Sequence, residues 1–198
     1  MIVKMNENMA KLLEAIRDRN LSMCLFRHHS SVLADYLIGN LLFKIPVKRW
    51  PDIVPILIFR ASLVFLHSVA MRLPNSPIGF IGLRRDERTL IAEKYYSNLP
   101  KLREGSILAI LDPMLGTAGT LRQTIEEAGA KYVLEVGRPI DMSNVYYVGF
   151  LAAKSGYQKA TKLIPEENVI LLAVDPVLDT NGYISPGLGD FGDRWHGN

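Results

Sequence analysis

The stretch "LDPMLGTAGT", residues 111–120, follows an apolar run and breaks into an Asp, a Pro, two glycines and two threonines. Read as a strand that ends at Leu111 and a helix that starts near Thr117, it lies where open parallel sheets gather ligands. Strand carboxyl ends line the crevice, and the free N–H groups of a helix N-terminus attract phosphate. Gly116 and Gly119 let backbone amides approach an anion closely, and Thr117 and Thr120 offer hydroxyl donors. The loop lacks the Lys of a GxxxxGK[ST] motif and the spacing of GxGxxG, so neither nucleoside triphosphate hydrolysis nor dinucleotide binding is favoured. A plain turn followed by an N-cap fits these ten residues equally well. Asp112 tips the balance, because an acid at the mouth of a phosphate loop is awkward unless it addresses hydroxyls or a cation, and a sugar phosphate carries both.

Two further segments resist regular patterning. Residues 84–100, "RRDERTLIAEKYYSNLP", are charged and lack clean periodicity, and Arg84, Arg85 and Arg88 read equally as a solvated face. Residues 175–198 hold Gly182, Gly187, Gly189, Gly192 and Gly197 with Asp190 and Asp193. Long irregular connections in a compact domain are usually functional or disordered. Tyr183, Ile184, Leu188, Phe191 and Trp195 argue here for a packed loop.

The remainder must position these stretches. Leu12, Leu13 and Ile16 recur at helical spacing after Asn6, and Val32, Leu33, Tyr36, Leu37, Leu41 and Leu42 do so after Ser30 and Ser31 as caps. Strands are expected at 53–59, 78–83, 106–111, 145–151 and 169–174, and helices at 62–72, from about Thr117 to Ala128, and at 154–163. Apolar strands interleaved with amphipathic helices imply an α/β domain with a mostly parallel sheet covered on both faces. One domain over 1–198 is expected, with introductory helices in 1–45, an α/β core over 53–174 and an appended loop over 175–198. The apolar run from Ile53 to Leu73 is interrupted by Arg60 and His67. An Arg at a bilayer centre costs about 2.5–3.5 kcal/mol, so a buried strand, a turn at Arg60–Ser62 and a helix are the better reading. No membrane partner is expected.

The 198 residues carry a net charge of +3 with Lys and Arg scattered, which indicates no nucleic-acid partner. Cys24 is the single cysteine, so no intrachain disulfide forms, and a reducing cytoplasm is the expected compartment. Cys24 and His28 lie one helical turn apart, but without matching ligands they make no zinc site.

"DPMLGTAGT" resembles the phosphoribosyl diphosphate (PRPP) loop of uracil phosphoribosyltransferases, and "GYISPGLGDFGDR", Gly182–Arg194, resembles that family's uracil-binding loop. "RASL" at Arg60–Leu63, "RRDERTL" at Arg84–Leu90 and "YYSNLP" at Tyr95–Pro100 match less specifically, in family order, from about Ile53 onward. The resemblance implies the type I phosphoribosyltransferase fold, a twisted, mostly parallel sheet flanked by helices, with a small hood from the C-terminal loop and the N-terminal helices. It implies that uracil and PRPP give UMP and diphosphate in pyrimidine salvage, with Mg²⁺ as cofactor, in a homodimer or higher homo-oligomer.

By the same resemblance Asp112 holds the ribose hydroxyls, and Pro113, Met114, Leu115, Gly116, Thr117, Ala118, Gly119 and Thr120 form the phosphate loop. Arg60 and Arg85 bind diphosphate. Ile184, Gly189, Asp190 and Phe191 surround uracil, and Arg60 and Asp190 are the expected catalytic residues. No dedicated protein metal site is implied, since the magnesium travels on PRPP near Asp190. Uracil presents an N3–H donor between two carbonyl acceptors, which backbone groups of a Gly-rich loop can match; cytosine inverts part of that pattern and would leave buried groups unpaired.

Ala118 and Ser62 stand where the family has glycine, and an alanine at 118 calls for a negative φ. The stretch between Tyr36 and Ile53 is shorter than the family's, which bears on its dimer-forming arm, and residues 133–144 read as an insertion. The altered diphosphate loop motivates an alternative, a non-catalytic regulator that keeps the UMP/PRPP pocket and binds RNA or a protein partner.

Overall fold

A computed structural model describes residues 2–85, 92–180 and 182–198, with backbone alone at 85 and 92. Helix α1 (Glu7–Arg17) starts at Asn6, whose side chain accepts from the Met9 N–H, and α2 runs over Met23–Lys44. Then come β1 (Ile53–Phe59), a 3-10 turn over Ala61–Phe65, α3 (Leu66–Arg72), β2 (Gly79–Arg85) and β3 (Ala92–Asn98). After them follow β4 (Ile107–Leu111), β5 (Met114–Leu115), α4 (Gly119–Val136), β6 (Val145–Ala153), α5 (Lys154–Ala160) and β7 (Val169–Asp175). The chain closes with β8 (Val177–Leu178), β9 (Ile184–Ser185) and α6 (Phe191–His196).

The sheet order is β3-β2-β1-β4-β6-β7, parallel except for β2–β3, and β5 resumes the β4 side of β6 after a break at Asp112–Pro113. Side chains alternate across it. Ile53 and Leu57 of β1 pack with α2, α3 and Phe150, whereas Val54, Ile56 and Ile58 pack with Leu121, Ala128 and Tyr132 of α4. Both faces are therefore buried, which is why the strands read as continuous apolar runs. A parallel bridge joins Ile2 to Leu171, so the N-terminal arm covers part of the β7 edge.

Several expectations on element bounds are corrected. Ser22, not Ser30 or Ser31, caps α2, and Ser30 lies buried mid-helix. β3 was not expected, because an edge strand reading Ala-Glu-Lys-Tyr-Tyr-Ser-Asn, with Lys94, Tyr95 and Tyr96 exposed, has no apolar alternation. α4 continues eight residues past Ala128 to Val136 and ends on Gly137 at φ +83, so the first four of residues 133–144 are helical. At the other end of α4, Ala118 has φ +62, the left-handed region, against the expected negative value.

Candidate active site

Three segments meet at the carboxyl edge of the sheet. β1 and β4 are neighbours in register Leu57↔Leu111, so Arg60 leaves its strand beside Asp112–Pro113, while the segment after Asp175 leaves β7 two strands away.

The loop from Asp112 to Thr120 is shaped by what lies beneath it. Pro113 has no N–H, so the β4 pairing stops there, and its carbonyl accepts from both Phe150 N and Leu151 N at 2.8 and 3.1 Å. The buried Tyr147 hydroxyl donates to the Asp112 carbonyl at 2.7 Å. Burial, and then the nearby Asp112 charge, push that phenol well above its ordinary pKa, so it stays a donor. A side chain at Gly149 would meet the Asp112 carbonyl at 2.6 Å, and one at Gly156 would meet the Leu115 carbonyl at 2.6 Å and strike that of Gly116. These two glycines let β6 and α5 close on the loop. On the loop itself, Thr120 donates from its hydroxyl to Asp112 Oδ2 at 3.2 Å, and Thr117 Oγ1 accepts from Gly119 N at 3.3 Å. Ala118 offers no side-chain cap to α4, so the amino end of an 18-residue helix faces the loop, a favourable place for an anion.

The base loop expected at Ile184, Gly189, Asp190 and Phe191 runs from the β8–β9 ribbon into α6. Gly187 and Gly189 have φ +59 and +77. A side chain at Gly187 would strike the Ile184 carbonyl, and one at Gly189 the Arg19 guanidinium. Asp190 caps α6, its Oδ1 accepting from Asp193 N at 2.9 Å. The Phe191 ring is 2% exposed and packs on Phe26 and Phe150, with centroids 5.1 and 5.2 Å apart, and Ile184 is also buried. Neither apolar side chain is presented to solvent, so a ligand there would meet the backbone of the loop.

Arg60 turns toward α6. Its Nη2 lies 3.2 Å from Asp193 Oδ1, and the His196 ring nitrogen is 3.4 Å from its carbonyl oxygen. That ion pair engages one prong of a guanidinium with five N–H donors. The Arg85 side chain and all of Arg88 lie outside the described residues.

Sequence reasoning missed the groups that hold the base loop. Arg17 makes a two-pronged ion pair with Asp175 at 2.8 and 2.9 Å and donates to the Gly187 carbonyl at 3.1 Å, while Gly187 N donates to Asp175 Oδ2 at 2.9 Å. The hydrogen bond with Asp175 raises the Arg17 pKa against the effect of burial. Arg194 donates to the carbonyls of Ile16, Leu188 and Asp18 at 2.6, 2.7 and 2.6 Å and lies 4.0 Å above the Phe26 ring. Burial, and then the neighbouring Arg19 charge, lower its pKa. Asp175 could have been suspected as an acid ending a parallel strand; nothing in the local sequence marks Arg17.

Among the described residues no three His, Cys, Asp or Glu side chains gather into a metal-binding group. Mg²⁺ commonly takes one or two carboxylates plus substrate phosphates. Asp112 on the phosphate loop and the exposed Asp190 suit an ion carried by substrate better than one held in a protein cage.

A family model described as uracil phosphoribosyltransferase matches residues 47–198. The uracil phosphoribosyltransferase of Aquifex aeolicus (strain VF5) is 40% identical over 157 residues, 79% of this chain and 70% of the relative. That of Campylobacter fetus subsp. fetus is 39% identical over 137 residues, 69% of this chain and 61% of the relative. These alignments thus span between 61% and 70% of the relatives' length. The solved structure of the AQ2163 protein from Aquifex aeolicus superposes with a TM-score of 0.82 at 31% identity, covering 99% of this chain and 98% of that one, so the likeness extends through α1 and α2. A purine phosphoribosyltransferase from Pyrococcus horikoshii Ot3, at TM-score 0.51 and 15% identity over 75% of this chain and 84% of that one, shares the fold. Nothing in these relatives favours the non-catalytic regulator. With Asp112–Thr120, Gly182–Arg194 and the sheet edge between them all inside the matched region, this chain belongs to the uracil phosphoribosyltransferase family.

Proposed function

We propose that this chain transfers the phosphoribosyl group of PRPP to N1 of uracil. The N1–C1′ bond forms, the C1′–O bond to diphosphate breaks, and the N1 proton is lost, giving UMP and diphosphate. The observation that carries this reading is that the family match runs through both loops, which leave the same sheet edge.

Asp112 orients the ribose hydroxyls, and the backbone amides from Gly116 to Thr120, with the amino end of α4, take the 5′-phosphate. As C1′ loses its leaving group, positive charge grows on the sugar and negative charge on diphosphate. Arg60 then stabilises the departing group with the donors its contact to Asp193 leaves over. Arg85 joins it. Ile184, Gly189 and Phe191 read the uracil edge through backbone groups, and Asp190 stands between base and sugar. Asp112 and Asp190 would be the carboxylates available to a Mg²⁺ carried on PRPP, which would neutralise diphosphate charge. The protein works in the cytoplasm as a homodimer or larger homo-oligomer, the assembly supported by Phe43 at 93% exposure with Val47 and Met71 also exposed.

Purified protein supplied with PRPP, Mg²⁺ and a panel of bases should form nucleotide from uracil and not from cytosine or hypoxanthine. Absence of turnover with every pyrimidine sinks the proposal. Asp190→Asn should lower kcat by about 100-fold with little change in Tm, because asparagine caps a helix as well as aspartate does; undiminished kcat removes Asp190 from the mechanism.

A further inference from the structure

Two consecutive carbonyls of the base loop are claimed by guanidinium groups, Gly187 by Arg17 and Leu188 by Arg194. A trans peptide is planar, with C=O and N–H on opposite sides. Fixing the Gly187 carbonyl therefore aims the Leu188 N–H, and fixing the Leu188 carbonyl aims the Gly189 N–H, each away from the guanidinium that holds its carbonyl. Asp175 takes the N–H of Gly187 on its Oδ2, the oxygen that also receives Arg17 Nη1 at 2.8 Å. Three successive peptide planes are thereby oriented by side chains from α1, β7 and α6.

We infer that Arg17, locked by Asp175, is a positioning residue for base recognition: it sets the direction of the loop amides that read the base, without touching the base itself. The inference rests on reading this loop as the uracil site. Arg17 lies outside residues 47–198, so no family motif assigns it this task. Bulk stabilisation is a poor explanation for the pair. The side chains are only 16% and 6% exposed, and a buried ion pair is commonly replaceable by apolar residues of similar volume at no cost in stability. What apolar residues would lose is the hold on both the N–H and the carbonyl of Gly187.

The full chain with Arg17→Lys, and with Arg17→Met combined with Asp175→Leu, tests this by steady-state kinetics with each substrate varied in turn, alongside thermal unfolding. Arg17→Lys keeps the charge and loses the fork, and should raise KM for uracil about tenfold with KM for PRPP held within about twofold. The double variant leaves the Gly187 N–H and carbonyl without these partners and should have a lower Tm. It should raise KM for uracil further with KM for PRPP held, and narrow the preference for uracil over cytosine, since misdirected amides no longer penalise the wrong edge. An unchanged uracil KM and base preference in Arg17→Lys overturns the inference, as does a rise in both KM values that only follows lost stability. Should the double variant not fold, Arg17→Lys alone decides. Wild-type protein inactive toward uracil overturns instead the reading of the loop, a result visible before any variant is made.

Discussion

The loop proposed for phosphate, Asp112–Thr120, and the loop proposed for the base, Gly182–Arg194, leave the same sheet edge but are held by different physics. Asp112–Thr120 is supported by close backbone approach: Gly149 and Gly156 let β6 and α5 press on its carbonyls, and a buried phenol fixes the carbonyl of Asp112. The base loop is held by charge-assisted contacts from Arg17, Asp175 and Arg194. On the proposed reading the first loop takes a phosphate, the same anion in every phosphoribosyl substrate, for which a rigid cradle of backbone suffices. A base must be told from near-isosteres, and long side chains acting on separate peptide planes can set the direction of each donor.

The strongest break in this contrast is Gly156→Ala. Its methyl group would meet the carbonyls of Leu115 and Gly116, which cannot rotate away. We expect a loss of about 1–3 kcal/mol in stability and about 100-fold in kcat/KM for PRPP through displacement of the loop. Retained PRPP kinetics would show the cradle to be more pliant than its packing implies. Next in size, Tyr147→Phe deletes the buried donor to Asp112, costing about 1–2 kcal/mol by chemical denaturation, with a raised KM for PRPP and an unmoved KM for uracil. Because the phenol's pKa lies well above its ordinary value, this difference should stay constant between about pH 6 and about pH 9.

Ala118→Gly sharpens the same comparison in the opposite direction. At φ +62 an alanine is strained where glycine is not, so this change should stabilise the protein by about 1 kcal/mol. Calorimetry giving a lower Tm would refute that strain.

The smallest expected effect belongs to a pair outside both loops. Hydrogen bonds from Arg72 hold the Asp35 carboxyl below its usual range. The folded pKa is depressed, so this contribution is present at neutral pH and is lost as pH falls through the folded value. With both side chains more than 40% exposed, Asp35→Asn should cost about 0.5 kcal/mol at neutral pH, and the two proteins should converge in acid. A persistent gap there would show that the effect is not ionic.

Much of this was legible in the residues. β1, β4, β6 and β7 read as apolar runs because parallel strands are buried on both faces, and the glycines and threonines of Asp112–Thr120 marked a loop between a strand and a helix, which is where the structure has it. β3 escaped because an exposed edge strand has no apolar face to reveal its period. The conformation of Ala118 escaped because an alanine favours negative φ, whereas the turn into α4 takes the other sign. The hold on the base loop escaped for a simpler reason: Arg17 and Asp175 are 158 positions apart, and neither has a local pattern that names its partner.

That distance also bears on how the molecule comes into being. Contacts between neighbouring elements of the sheet can form early, whereas those from Arg17 to Asp175 and from Arg194 to Ile16 and Asp18 close loops of most of the chain, the slowest kind of contact to make. During folding the supports of Asp112–Thr120, 35 positions apart at Tyr147 and Asp112, should therefore form before those that hold the Gly182–Arg194 loop, so that loop is the last part of the sheet edge to be fixed.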